Sequence, residues 1–190
     1  WGVQLRFPWQ ERAASAVFMR GSHLWIVFTA EATPDVSAML QSPANTYIKE
    51  VRQLPVRGHT VLHIATQGMT DAIVGKAKGS EEWTVTLTNE SVMPRVPIQV
   101  QHNTAPPLRP HFFLPVLQVA EPLHLKDPMV GDRLMVIPLY KPGEAVSRAR
   151  RTVEFHLFKT AQGIAVEPLA DKLRTAMLRN GLTLTMAGGL

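Results

Sequence analysis

The sequence contains no cysteine. That excludes disulfides, thiolate zinc sites and cysteine nucleophiles. It leaves the compartment open, because an envelope protein avoiding stray oxidation and a cytosolic protein can both lack thiols. Long apolar runs are absent too. The main ones, residues 24–28 and 134–137, fall far short of the ~20 residues a transmembrane helix needs. No signal-peptide pattern is visible. There is no serine in a nucleophile-elbow setting and no glycine-rich phosphate loop, and Gly188-Gly189 is too isolated to count as one. Helix signals are weak throughout. The chain opens on Trp1 and closes on Gly188, Gly189 and Leu190, which leads us to expect a processed chain or a fragment of a longer protein.

What is present has a period of two. Val3, Leu5 and Phe7 alternate with Gln4 and Arg6, and Trp83, Val85 and Leu87 alternate with threonines. Ile98 and Val100, and then Leu182, Leu184 and Met186, repeat the pattern. Strand side chains point to opposite faces in turn, so each run predicts a strand with one wet face. Residues 16–19, 24–28, 61–65 and 134–137 are apolar on both faces. These belong in the centre of a sandwich, or beneath a second layer supplied by a missing part of the protein. Glycines punctuate the runs at short intervals, as in Gly21-Ser22, Gly79-Ser80 and Asn180-Gly181. The 15 prolines suit strand ends and edges.

These signals predict an all-β, mainly antiparallel protein, sandwich-like or built of stacked β repeats, with little helix. Residues 34–41 suggest two helical turns capped by Thr33. Residues 168–180 fit either a helix or the first arm of a hairpin turning at Asn180-Gly181, and the clean alternation that follows favours the hairpin. The proline-rich segment 105–110 divides the chain into an N-terminal half, 1–104, and a C-terminal half, 111–190. Residues 22–28 and 132–139 share a loose theme of polar turn, leucine and apolar strand.

Of the 190 residues, 45% are hydrophobic and 18% charged, which suits a globular chain able to bury a core. The formal charge of +5 aids solubility and favours acidic partners. The densest positive cluster is residues 147–151, with Arg148, Arg150 and Arg151. Together with Arg133 it is the candidate patch for an anion or a partner. No aromatics interleave with it, which counts against nucleic acid.

Seven histidines invite a metal reading. His59 and His63 are four apart, but on a strand that separates them by ~13 Å, too far to share one zinc. We therefore expect no metal and no cofactor. Asp127 and Asp132 could form the acid/base pair of a hydrolase, but Asp-Pro and Gly-Asp are also ordinary turn chemistry. The aromatics Phe7, Trp9, Phe18, Trp25 and Phe28 offer either a stacking platform or core packing. Residues 19–23 spell MRGSH, the start of a common expression tag. They join two matched apolar runs rather than interrupting a pattern, so they read as a hairpin loop spanning 20–23.

Residues 5–28 look like β-rich regions of uncharacterised bacterial envelope proteins, in which a Phe-x-Trp strand precedes a hydrophobic strand, an Arg-Gly turn and a Leu-Trp strand. The stretches DPMVGDRLMVIPL and AQGIAVEPLADKL have the same character. A more distant resemblance is to the AMIN-type β-sandwich modules that localise envelope enzymes and secretins. It covers short structural patches and transfers no functional residue. The expectation is a non-enzymatic binding or scaffolding module of the bacterial envelope, periplasmic or envelope-associated, contacting a protein or an anionic wall polymer. The alternative is a polysaccharide hydrolase or lyase using Asp127 or Asp132.

Overall fold

A computed structural model describes residues 2–68, 70–107 and 109–186, so Trp1 and the terminal Gly188, Gly189 and Leu190 lie outside it. The first half of the chain forms β1 (Gly2–Pro8), β2 (Ser15–Arg20), β3 (His23–Phe28), a short helix α1 (Val36–Leu40), a 3-10 turn (Ser42–Thr46), β4 (Ile48–Leu54), β5 (Thr60–Thr66), β6 (Asp71–Lys76) and β7 (Glu82–Thr88). Then come β8 (Val96–Pro97), β9 (Gln101–Asn103), β10 (His111–Leu114), β11 (Leu123–Lys126), β12 (Arg133–Ile137) and β13 (Glu144–Ala145). The last are β14 (Arg150–Arg151), β15 (Phe155–Leu157), β16 (Thr160–Gln162), β17 (Ile164–Pro168), β18 (Arg174–Leu178) and β19 (Gly181–Thr185). The protein is all-β, as the period-two pattern predicts.

Two sandwiches stack into four layers. In the first, a three-stranded sheet ordered β1-β7-β6 faces a five-stranded sheet ordered β16-β2-β3-β5-β4. Leu5 and Phe7 from β1, with Trp83, Val85 and Leu87 from β7, meet Leu24, Ile26, Phe28, Leu62 and Ile64 from the larger sheet. In the second, a five-stranded sheet ordered β11-β12-β17-β15-β14 faces a four-stranded one ordered β18-β19-β10-β9. Met135, Ile137, Ile164 and Val166 there meet Phe112, Leu114, Leu182 and Leu184.

The strands apolar on both faces are the ones in the middle. The alternate residues of the two five-stranded sheets, including Phe18, Trp25, Val27, Val61, Leu134, Val136 and Ala165, form a third core between the sandwiches. The second layer expected over these strands is thus supplied by the chain's own other half. Phe18 and Trp25 stack across the hairpin at 5.9 Å, while Phe7 and Trp9 pack on Phe28 at 4.9 and 5.0 Å. All five aromatics are packing residues.

The halves are interleaved. Strand β16 belongs to the C-terminal half in sequence but pairs with β2. The chain then crosses directly into β17 of the other sandwich at Gly163. Gly163 has φ +72°, and a Cβ there would lie 2.9 Å from Ala16 Cβ and from the Ile137 carbonyl oxygen. Of the proline-rich connection, residues 105–107, 109 and 110 lie between β9 and β10, which pair as a hairpin of the second sandwich. Sheet membership changes earlier, after β7 ends at Thr88.

Local expectations need four corrections. Helix α1 is one residue over a turn, and Asp35 rather than Thr33 caps it, accepting from the Ala38 N–H at 3.1 Å. The β2–β3 turn is only Gly21-Ser22, because Arg20 and His23 pair as strand residues. The β18–β19 hairpin does form, but its turn is Arg179-Asn180, with Leu178 paired to Gly181. Gly181 serves close approach instead: a Cβ there would sit 2.4 Å from the Leu114 carbonyl oxygen. Residues 98–100 are irregular between β8 and β9, although Ile98 is buried as its alternation predicts.

Candidate functional site

Asp127 and Asp132 lie at the two ends of the turn joining β11 to β12, and both reach Arg20 at the end of β2. Arg20 Nη1 donates to Asp127 Oδ2 at 2.5 Å and to Asp132 Oδ1 at 2.6 Å, and Nη2 donates to Asp132 Oδ2. Glu167 lies 3.4 Å from the same guanidinium and 3.5 Å from the His156 ring. The free oxygen of Asp127 accepts the N–H groups of Met129 at 2.8 Å and Val130 at 3.2 Å, the turn chemistry its Asp-Pro context predicts.

Electrostatics follow from this geometry. Burial pushes the Asp127 carboxyl upward, but the Met129 N–H, the guanidinium and the Val130 N–H together outweigh it, and the group titrates below the ordinary range. Asp132 is lowered chiefly by its hydrogen bond to Arg20. Arg20 is raised, first by Asp132. Two carboxylates held ionised on one shared cation make a clamp between the sandwiches. A general acid needs the opposite, a carboxyl raised toward neutral pH. The carboxyl of Glu144 is raised by burial, with Lys141 opposing, but it stands on β13, away from this pair.

The arginines expected to form one patch fall on different strands. Arg150 and Arg151 are β14, the outermost strand of the five-stranded sheet, and Arg148 precedes it on the surface. Arg133 starts β12, with β17 and β15 between it and β14. At ~4.8 Å per strand that separates it from β14 by about 14 Å. The three arginines of 148–151 stay exposed and form no ion pair among the described residues.

Among the described residues, no group of three or more histidine, aspartate or glutamate side chains is placed to hold a metal ion. His63 is buried, with its ring stacked on His23 at 4.5 Å and edge-on to Trp25 at 4.7 Å. Burial and then the neighbouring His23 hold it below its ordinary value, so it is a neutral, packed histidine.

A cavity of about 770 Å³ forms a groove on the first sandwich. One wall is the whole of β1 together with Trp9, and the other is the segment from Ala32 through α1 to Ala44. Its lining is mainly apolar, with Val3, Leu5, Phe7, Met39 and Pro43 prominent, and Arg6 and Asp35 as its charged residues. Trp9 keeps its Nε1–H buried without a partner. β1 is an edge strand, and among the described residues its main chain pairs only with β7. Alternation in residues 3–7 revealed the strand but not its edge position, because sheet order is set by distant pairing.

Comparison with protein-family models, with curated proteins and with solved structures returned no match. The features on which a functional reading rests are four stacked β layers, an arginine clamp between them, and an apolar groove along the edge strand β1.

Proposed function

We propose that this chain is a non-enzymatic binding or scaffolding module that engages a protein partner. The observation that carries the reading is the groove beside β1. It is a mostly apolar concavity of about 770 Å³, and it runs along the edge of β1, which among the described residues pairs with no strand but β7. The occupation of Asp127 and Asp132 by Arg20 supports the same reading, since it withdraws the pair a hydrolase would need. The basic, cysteine-free composition is compatible with the cell envelope as its setting. A second reading, contact with an anionic wall polymer, is favoured by the three exposed arginines at the β14 edge.

The test is retention. The immobilised chain is challenged with cross-linked envelope extract and, separately, with anionic wall polymer at rising salt. A discrete protein partner supports the leading reading. Polymer retention that falls with salt and is lost on replacing Arg148, Arg150 and Arg151 by glutamine supports the second. Retention of neither overturns both.

A further inference from the structure

We propose that the groove beside β1 takes an extended polypeptide segment, which adds to β1 as a fourth strand of its sheet. Apolar side chains at alternate positions would turn into the groove, and an acidic residue would stand opposite Arg6. The inference rests on the binding-module reading above and names the ligand class for that site.

The first sandwich is built unevenly. Its larger sheet has five strands and its smaller sheet three. β6 packs over β16 and β2, so the smaller sheet starts at that side and runs out before it reaches β4. Helix α1 packs on β4, its Val36 and Met39 lie half-buried against the core there, and the 3-10 turn, carrying buried Ala44 and followed by buried Tyr47, reaches both β4 and β1. The groove occupies the place a strand next to β1 would fill. Alternate residues of this seven-residue strand turn their main-chain groups away from β7, and among the described residues those groups have no strand partner, which makes the edge a template for one kind of occupant, another strand. Along β1 the inward residues Leu5 and Phe7 are buried, while Gln4 and Arg6 face water. A paired strand must match that alternation, with apolar residues facing the core side.

Charge decides the outward positions. Arg6 is 69% exposed, donates from Nε to Gln4 Oε1 at 3.2 Å, and stands 3.9 Å from Glu82. A carboxylate on an added strand would be its direct cross-strand neighbour, and opposite charges so placed attract. The chain's +5 charge favours an acidic partner in the same sense. A second copy offering its own β1 would bring another Arg6 and no carboxylate to the outward row, so it lacks the charge complement.

The experiment pans random nonapeptides displayed on phage against the full chain, then measures a selected synthetic peptide by fluorescence anisotropy and amide hydrogen exchange. Ala38 lines the groove from the exposed side of α1, so Ala38→Trp narrows the groove without touching the core. The expected result is enrichment of alternating apolar sequences bearing acidic residues. Exchange should slow along β1, and Ala38→Trp should weaken binding roughly ten-fold or more. Selected peptides that leave β1 unprotected, or that bind Ala38→Trp equally well, overturn strand addition while leaving the binding-module reading standing. No enrichment overturns strand addition as well, and the retention test then decides the broader reading alone. Slowed β1 exchange without peptide, rising with protein concentration, would assign the edge to self-association and overturn the proposal.

Discussion

Arg20 and Asp132 stand 112 residues apart in sequence and meet as a two-pronged ion pair, Nη1 to Oδ1 at 2.6 Å and Nη2 to Oδ2. The pair ties the tip of the β2–β3 hairpin to the tip of the β11–β12 hairpin, with Asp127 on the same guanidinium. The arginine of the MRGSH stretch is thus a fastener between the two sandwiches.

Replacing Arg20 by alanine should therefore be costly. The Asp127 side chain is 3% exposed and that of Arg20 12%. Removing one partner of a buried pair typically costs about 3–5 kcal/mol, because the other charge is left unpaired. Arg20→Lys should recover only part of this, since one ammonium cannot reproduce the planar fork that reaches both aspartates. Urea unfolding checks both. An Arg20→Ala loss under ~1 kcal/mol, the level of a surface pair, would show that the clamp is solvated.

Acid should weaken the fold in two separate windows. His63 titrates lower folded than unfolded, so the folded state binds fewer protons as pH falls below the unfolded value of ~6.5. Its stabilising contribution is complete above that pH and is lost as pH drops toward the folded value. Asp127 and Asp132 are also lowered. Their contribution is complete above the unfolded value of ~3.9 and is lost only in stronger acid. His63→Leu should flatten stability just below about pH 6.5 and leave the acid limb unchanged. Urea midpoints across pH would show this, and an unaltered slope in the upper window would assign that limb to another group.

Trp25 and His23 sit two residues apart on β3 with opposite expectations. Trp25 is fully buried between the sandwiches. Trp25→Ala should cost about 3–5 kcal/mol. Trp25→Phe should cost much less, because it keeps most of the ring and removes an Nε1–H that is buried without a partner. His23 is half-exposed, and its ring stacks on His63. His23→Ala should change stability by under ~0.5 kcal/mol, in line with surface positions. Thermal and urea unfolding of the three variants give the ranking, and a costly His23→Ala would return this hairpin to the list of candidate sites.

What the sequence disclosed follows from how each feature is encoded. Alternation in residues 3–7, 83–87 and 182–185 is local, and each run is a strand. The apolar doubling of residues 24–28 signalled cover on both faces, and the cover came from residues such as Leu134 and Val136. Ion pairing leaves no spacing signature, so nothing in residues 127–132 pointed to Arg20. Glycine is ambiguous in sequence. Gly181 looked like a turn residue but is required for close passage past Leu114. The groove was illegible for a similar reason, since Leu5 and Phe7 alternate alike whether β1 is an edge or a centre.

Gly163 offers the sharpest test of the interleaved topology. It marks the step from β16 in one sandwich to β17 in the other, and its N–H donates to the Glu144 carbonyl at 2.9 Å. Its positive φ alone would cost alanine about 1–2 kcal/mol. The added methyl would also meet Ala16 Cβ at 2.9 Å and the carbonyl oxygens of Ile137 and Ser15 at 2.9 and 3.0 Å. Main-chain atoms from two sheets cannot yield as a flexible side chain can, and overpacking of this kind adds about 1–3 kcal/mol. Gly58 is the internal control, with φ +73° and nothing within 4 Å of where an added Cβ would sit. Gly163→Ala should therefore destabilise clearly more than Gly58→Ala in parallel urea titrations. Equal losses would mean that the backbone twist alone is felt, and that the two sheets do not close on Gly163 as tightly as the crossing requires.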